Sequence, residues 1–309
     1  MTSPLATLPK RVTVVEVGPR DGLQNESVEI PTAVKVRFID ALSDAGLPVV
    51  EATSFVSPKA IPQLADAEDV MRRIKRRPGV RYPVLVPNER GLERALDAGT
   101  REIAVFTAAS DEFNRRNINA TIDESIDRFV PVLARAKREG MRVRGYVSMC
   151  FGSPFRETIE PKTVVDVARR LDALGVDEIS IGDTIGVATP NQVVDLTERL
   201  RAHIDVGRLA MHFHDTRGTA LANVVVALEC DIAIFDASAA GLGGCPYAPG
   251  ASGNLATEDL LYMLQGMEIE TGVSLAGVVH ASTLIAAVLD HAPTSKYYQA
   301  QAANAVPRS

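Results

Sequence analysis

Short runs of apolar and β-branched residues alternate along the chain with longer segments in which apolar residues recur every three or four positions. The first pattern predicts buried strands, and the second predicts helices with one buried face. Eight strands are predicted, at 11–17, 48–54, 81–86, 102–107, 143–149, 178–183, 209–214 and 232–237. Helical spacing is clearest at 31–45, 65–77, 121–139, 161–174 and 190–203.

Eight strands, each followed by a helix over roughly 250 residues, are what a (β/α)8 barrel requires. An open doubly wound sheet also accommodates many of these strands. However, no Gly-x-Gly-x-x-Gly motif follows the first strand, and no low-complexity linker divides the chain. We therefore predict an α/β fold, a TIM barrel at about 11–253 with a C-terminal helical extension at about 254–292. Residues 10–309 then form one catalytic domain, with flexible termini at 1–9 and 298–309.

The composition excludes several classes of protein. The 309 residues carry a formal net charge of −6, whereas proteins that bind nucleic acid or membrane surfaces usually present a basic face. Three cysteines without paired spacing indicate a reducing compartment. No window approaches the ~18 apolar residues of a membrane span. We expect a cytoplasmic homo-oligomer that binds neither nucleic acid nor membranes.

Two histidines stand two positions apart in "HFHDTRG", at the end of the seventh predicted strand. His212 and His214 therefore point to one face of that strand, either as buried hydrogen-bonded histidines or as metal ligands. Asp21, just after the first strand, supplies a carboxylate to the same rim of the barrel, and Asn254 adds a neutral oxygen. This set suits Mg²⁺ or Mn²⁺, with Co²⁺ or Zn²⁺ as alternatives, better than a closed structural zinc site.

Five glycines and two prolines occur in the fifteen residues of "AGLGGCPYAPGASGN", which also contain Cys245. One interpretation is a flexible connection with a small apolar cysteine. The other is a mobile lid that brings a thiol over the site for acid–base or nucleophilic work. Cys150 and Cys230 are predicted to be structural.

Arg20 precedes Asp21 in "GPRDGLQNE" and is either half of a structural ion pair or a group that stabilises an enolate oxygen. Glu51, on the second predicted strand, is placed to hold Arg20, because a buried acid needs such a partner.

These motifs, with "EATSFVSPK", "EISIGDTIGVATP" and "GLGGCPYA", resemble those of the hydroxymethylglutaryl-CoA lyases. That family belongs to a wider group of metal-dependent Claisen-type lyases and synthases on TIM barrels. The resemblance extends from about Val14 to Gly272. It implies a CoA thioester substrate, which is cleaved to acetoacetate and acetyl-CoA.

The resemblance also implies roles for individual residues. The implied metal ligands are Asp21, His212, His214 and Asn254. Arg20 matches the catalytic arginine of the family and Cys245 its loop thiol. Glu51 and Asp183 match active-site acids, and Gln24 matches a motif position near the metal. Either Asp21 or His212 is the general base.

The chain departs from many members of the family at two places. It has Arg217 where they have tyrosine, and Ser153 and Phe155 where they have cysteine and tyrosine. Arg217 is either a contact to the substrate carboxylate or phosphates or a solvated residue of the rim. The alternatives for function are a lyase for a related 3-hydroxy-3-alkylglutaryl-CoA or other 3-hydroxyacyl-CoA, a Claisen-type synthase of the same group, or a non-catalytic CoA-ester-binding barrel.

Overall fold

The strands of the protein form one closed ring, in which every neighbouring pair is parallel. The structure is a computed structural model that describes residues 8–155, 157–244 and 253–305. Its strands are β1 (Thr13–Glu16), β2 (Val49–Val50), β3 (Thr53–Ser54), β4 (Val84–Leu85), β5 (Glu102–Ala108), β6 (Arg142–Ser148), β7 (Glu178–Asp183), β8 (Leu209–Phe213) and β9 (Ile234–Ala237). Each of the eight predicted segments overlaps at least one of them, and the second predicted strand is divided into β2 and β3.

The segment 49–54 closes the ring, because its two halves pair with different neighbours. The strand order runs β2-β1-β9-β8-β7-β6-β5-β4-β3. Between the halves, the Glu51 amide donates to Glu16 O at 2.8 Å on one side, and the Ala52 amide donates to Pro83 O at 3.0 Å on the other. A closed parallel ring with helices between its strands is a TIM barrel. The predicted fold class is therefore confirmed.

Helices cover the outside of the ring and extend past it at the C-terminus. They are α1 (Thr32–Asp44), α2 (Ala67–Arg73), α3 (Glu89–Asp97), α4 (Asp111–Ile118), α5 (Ile122–Arg138), α6 (Pro161–Ala173), α7 (Pro190–Arg201), α8 (Ala220–Glu229), α9 (Thr257–Gly266), α10 (Leu275–Ala286) and α11 (Lys296–Ala305). The longest, α5, begins with a capping box between Thr121 and Glu124, which satisfies two amides that the first turn leaves free. None of the helices in the described ranges has the length and hydropathy that a membrane span requires.

Alternation along the strands separates an outer core from an inner one. On β5, Ile103 and Val105 belong to the large apolar core under the helices, whereas Ala104 lies in a small cluster with Leu85 and Tyr146. The strands thus send one set of side chains to the helices and the other into the barrel, as a TIM barrel requires.

The helices of the C-terminal extension continue past residue 292, the predicted end of that extension. Residues 298–305, expected to belong to a flexible terminus, are part of α11. The side chain of Asp259, on α9, accepts hydrogen bonds from the amides of Lys296 at 3.0 Å and Tyr297 at 2.7 Å. These bonds satisfy amides in the first turn of α11 and attach it to α9. No local pattern in 298–305 indicates this, because the capping side chain lies 37 residues before Lys296.

Candidate active site

Three of the predicted ligands, Asp21, His212 and His214, meet at the carboxyl end of the barrel, with their ligand atoms within 4.8 Å of one another. His212 belongs to β8 and His214 follows it, so both imidazoles lie on one side of the chain. Their Nε2 atoms are 3.2 Å apart. Asp21 reaches the same place from β1 through a tight helical turn, Gly18–Gly22.

The fourth predicted ligand, Asn254, lies against the same group. Its Nδ2 donates to Asp21 Oδ2 at 2.9 Å and to Leu242 O at 3.0 Å, and its backbone forms an isolated antiparallel bridge with His214. Its Oδ1 is buried and has no hydrogen-bond partner in the part of the chain that the structure describes. Because buried polar atoms are normally paired, this oxygen is available to a further ligand.

The protonation states of these side chains suit a divalent cation. Burial, with His212 beside it, lowers the pKa of His214 to about 3, so its imidazole is neutral at neutral pH. Burial alone would raise the pKa of Asp21, but the charge of the neighbouring Arg20 holds it below its ordinary value. Burial lowers the pKa of His212, but the hydrogen bond and charge of Asp236 and the charge of Asp21 raise it above its ordinary value, so a divalent ion would compete with a proton for this ring. An imidazole nitrogen, a carboxylate and an amide oxygen are all donors that divalent ions accept. The residues present therefore fit the predicted ion.

Arg20 lies beside the four proposed ligands, and both terminal nitrogens of its guanidinium form ion pairs. One terminal nitrogen pairs with Asp21 Oδ1 at 2.7 Å and the other with Glu51 Oε2 at 2.8 Å. The guanidinium carbon lies 5.3 Å from the centroid of the Tyr146 ring, within the range of a cation–π contact. Burial raises the pKa of Glu51, and the charge of Arg20 opposes that shift. The expected partnership of Arg20 and Glu51 is present.

Gln24 and Asp183 support the site in different ways. The Gln24 side-chain amide donates to Asp21 Oδ1 at 3.1 Å, which helps to fix that carboxylate. Asp183, at the end of β7, accepts the amides of Val187 at 2.9 Å and Ala188 at 3.0 Å. Burial raises the pKa of Asp183 to about 6. Its contacts shape the loop after β7.

Arg217 is exposed and is directed at the neighbouring loop. Its guanidinium donates to the backbone oxygens of Ile185 and Gly186, both at 2.9 Å. These bonds join the loop after β8 to the loop after β7. They favour the interpretation of Arg217 as a residue of the rim with a structural contact.

Cys245 lies outside the described residues. On either side of the gap, Gly244 O accepts from the side chain of Asn25 at 3.1 Å, and Gly253 O accepts from the amide of Asp215 at 3.3 Å. The ends of the glycine-rich stretch are therefore attached next to Asp21 and His214. The other two cysteines, Cys150 and Cys230, are buried free thiols.

Several polar residues inside and around the barrel were not predicted. Within the barrel these are Arg144, Tyr146, Ser180 and Asp236, which are all buried. Outside it, Glu16 and Glu258 are fully buried as well. The available signal was a charged side chain within an otherwise apolar strand, as at Asp236 in "IAIFDA". Such a residue usually needs a buried partner, but the sequence does not indicate which one.

Comparisons with known proteins agree with this geometry. The family model described as HMGL-like matches residues 11–285. The mitochondrial hydroxymethylglutaryl-CoA lyase of Rattus norvegicus is 52% identical over 97% of this chain and 92% of its own length.

Two solved structures are similar along the whole barrel. The hydroxymethylglutaryl-CoA lyase of Pseudomonas aeruginosa has a TM-score of 0.94 and 51% identity, covering 96% of this chain and 99% of that one. An HMG-CoA lyase from Acinetobacter baumannii, in complex with coenzyme A and 3-methylmalate, has a TM-score of 0.90 and 38% identity, covering 97% of each chain. With a family model matched over most of its length and relatives this similar, the chain belongs to the HMGL-like family of the hydroxymethylglutaryl-CoA lyases.

Proposed function

We propose that this protein cleaves 3-hydroxy-3-methylglutaryl-CoA to acetoacetate and acetyl-CoA. The observation that carries the proposal is the convergence of Asp21, His212, His214 and Asn254 at the open end of the barrel. The relatives at about half identity are named for this activity, and one of them is in complex with coenzyme A. We further propose that residues 10–309 act as one catalytic domain in a cytoplasmic homo-oligomer.

The reaction is a retro-Claisen cleavage. The tertiary hydroxyl loses its proton, the C2–C3 bond breaks, and its electrons pass into the enolate of acetyl-CoA. The four ligands named above would hold Mg²⁺ or Mn²⁺, which supplies Lewis acidity that lowers the pKa of the hydroxyl. Of the two candidate bases, we assign the acceptance of its proton to Asp21, because a carboxylate has a second oxygen when one oxygen holds an ion, whereas the Nε2 of His212 would be occupied as a ligand.

Arg20 is the residue best placed to stabilise the enolate oxygen. Asp21 and Glu51 occupy its terminal nitrogens. Its Nε is buried and has no hydrogen-bond partner among the residues that the structure describes. A buried N–H without a partner is unfavourable, and a developing oxyanion is the partner that such a preorganised donor stabilises best. Arg20 would therefore stabilise the enolate oxygen most strongly as negative charge develops on that oxygen.

The test of the function is an assay of the purified protein with hydroxymethylglutaryl-CoA and Mg²⁺, in which acetoacetate and acetyl-CoA are measured. Equimolar products support the lyase. Condensation of acetyl-CoA with a keto acid instead identifies a synthase, and tight binding of the ester without turnover identifies a non-catalytic barrel.

Removal of the metal should abolish turnover. His214→Ala deletes one ligand from a small site, so activity should collapse while the barrel remains folded by circular dichroism. His280→Ala changes an exposed histidine on α10 and serves as the matched control, with activity close to that of the wild type. Treatment with EDTA should inactivate the wild type, and Mg²⁺ or Mn²⁺ should restore it. Full turnover by the stripped enzyme would exclude the metal.

The thiol of Cys245 should protonate the enolate carbon, in keeping with the family resemblance. A positioned acid contributes roughly 10²–10⁴-fold to rate, so Cys245→Ala should lower kcat by that factor with little change in substrate binding. Cys230→Ala, which changes a buried thiol at the end of α8, controls for the loss of a cysteine. Wild-type kcat in Cys245→Ala would remove this residue from the mechanism.

A further inference from the structure

A buried carboxylate that belongs to none of the family motifs contacts His212, one of the two proposed histidine ligands. Asp236, on β9, places its Oδ2 3.1 Å from Nδ1 of His212. The two residues are register partners on adjacent parallel strands. His212 therefore has Asp236 on its Nδ1 side, whereas its Nε2 faces His214.

Asp236 is itself held firmly. Arg144 donates from a terminal nitrogen to its Oδ1 at 2.6 Å, and the hydroxyl of Ser180 donates to its Oδ2 at 2.9 Å. Asp236 is 2% exposed and Arg144 is 1% exposed, so water does not compete for these bonds. Arg144 also pairs with Glu178 at 3.0 Å, which fixes the guanidinium from its other side.

This arrangement determines which nitrogen of His212 bears the proton. An ionised carboxylate only accepts hydrogen bonds, so Nδ1 of a neutral His212 must be the donor. The lone pair is then on Nε2, the atom that faces His214 and Asp21. His214 differs in this respect, because its own Nδ1 is buried without a partner in the described part of the chain.

We propose that Asp236 is a positioning residue for the metal centre. It fixes the tautomer and ring orientation of His212, and Arg144 and Ser180 hold Asp236 in place. This inference rests on the metal ligands of the proposed function. Carboxylates that accept from the second nitrogen of a ligating histidine act in this way, and their loss typically weakens metal binding about 10–100-fold.

A purely structural role for Asp236 makes a different prediction. If Asp236 served only to neutralise Arg144, replacing either of the two acids that pair with that guanidinium would have the same effect. Glu178 is the second acid; it pairs with Arg144 and with Arg142. Glu178→Gln is therefore the matched control, since it removes a buried partner of Arg144 and leaves the contact between Asp236 and His212.

The first experiment measures the affinity of the metal-free proteins for Mn²⁺ by electron paramagnetic resonance, without substrate. Asp236→Asn should bind Mn²⁺ about 10–100-fold more weakly than the wild type, and Glu178→Gln should remain close to it. Equal losses in the two variants, or unchanged affinity in Asp236→Asn, would overturn the proposal.

The second experiment is made on the wild-type protein and uses a variant only for assignment. Nitrogen NMR of metal-free wild-type protein labelled in its five histidines reports which ring nitrogen of His212 is protonated, with His212→Asn used for assignment. The spectra are recorded at a pH high enough for the ring to be neutral. Protonation at Nδ1 then supports the role of Asp236, and protonation at Nε2 overturns it. A wild type that binds no Mn²⁺ would instead contradict the proposed metal centre, and the tautomer would still decide what Asp236 does.

Discussion

Glu16 and Glu258 are buried acids whose hydrogen-bond donors are amides and hydroxyls. Glu16 accepts from the amide of Ala239 at 2.9 Å and from the hydroxyl of Thr257 at 2.7 Å. Glu258 accepts from the amide of Ala240 and the hydroxyl of Ser282. Burial raises the pKa of each carboxyl to about 7. Both acids hold the backbone that follows β9, so their protonation is coupled to the stability of that segment.

The stability of the protein should therefore fall as Glu258 ionises. Its pKa is raised on folding, from 4.5 to about 7. The stabilisation is thus complete below pH 4.5 and is lost as the pH rises through 7. A shift of this size corresponds to on the order of 3 kcal/mol. In urea unfolding at a series of pH values, Glu258→Gln should remove this part of the decline.

The control for this prediction is Glu93→Gln. Glu93 is a surface acid on α3, with a side chain that is 61% exposed. Its replacement should leave the pH profile of the unfolding free energy unchanged. Parallel profiles for the wild type and Glu258→Gln would show that Glu258 does not titrate with folding.

At the scale of elements, the loop after β7 packs directly against the end of β8. Gly186 has a φ of +61°, and a Cβ added there would lie 2.7 Å from the side chain of Thr216 and 2.9 Å from His214 O. Gly218, after β8, has a similar φ of +69°, but a Cβ there would have no atom within 4 Å. The two glycines share a backbone conformation and differ in their surroundings.

Gly186→Ala should therefore damage the site more than Gly218→Ala does. Both variants incur the cost of a left-handed residue, roughly 1–2 kcal/mol. Only Gly186→Ala also pushes against the backbone of His214, a proposed metal ligand. We expect it to have the lower unfolding free energy and a lower kcat/KM. Equal kcat/KM values in the two variants would mean that this contact does not position His214.

The elements themselves were largely predictable, because their signals are local. Alternating and continuous apolar runs located all eight strand segments, and a spacing of three to four residues located helices such as α5 and α7. The division of the second strand could not be predicted, since it depends on Glu51 and Ala52 pairing with different neighbours. The start of α11 depends on a side chain from α9, which again is not a local signal.

For the molecule as a whole, the sequence located the rim of the site better than its interior. His212 lies near the end of β8, and His214 and Asp21 follow strand ends, where a TIM barrel carries its functional groups. Family motifs surround all three. Asp236 and Arg144 lie within strands, and their significance depends on which strands are neighbours and in what register. The pairing of Asp236 with His212 follows from the parallel register of β8 and β9, which the sequence alone does not determine.

Closure of the barrel has a consequence for biosynthesis. The proposed ligands lie at position 21, at positions 212 and 214, and at position 254, and β1 pairs with β9 through residues 13–16 and 234–237. A chain still on the ribosome with its last third unmade has the aspartate but neither the imidazoles nor the amide. On this ligand set the complete site would exist only after Asn254, which follows the final strand, has been synthesised and β9 has paired with β1. Loading of the metal should then report completion of the fold, and a nascent chain released early would be unable to retain the ion.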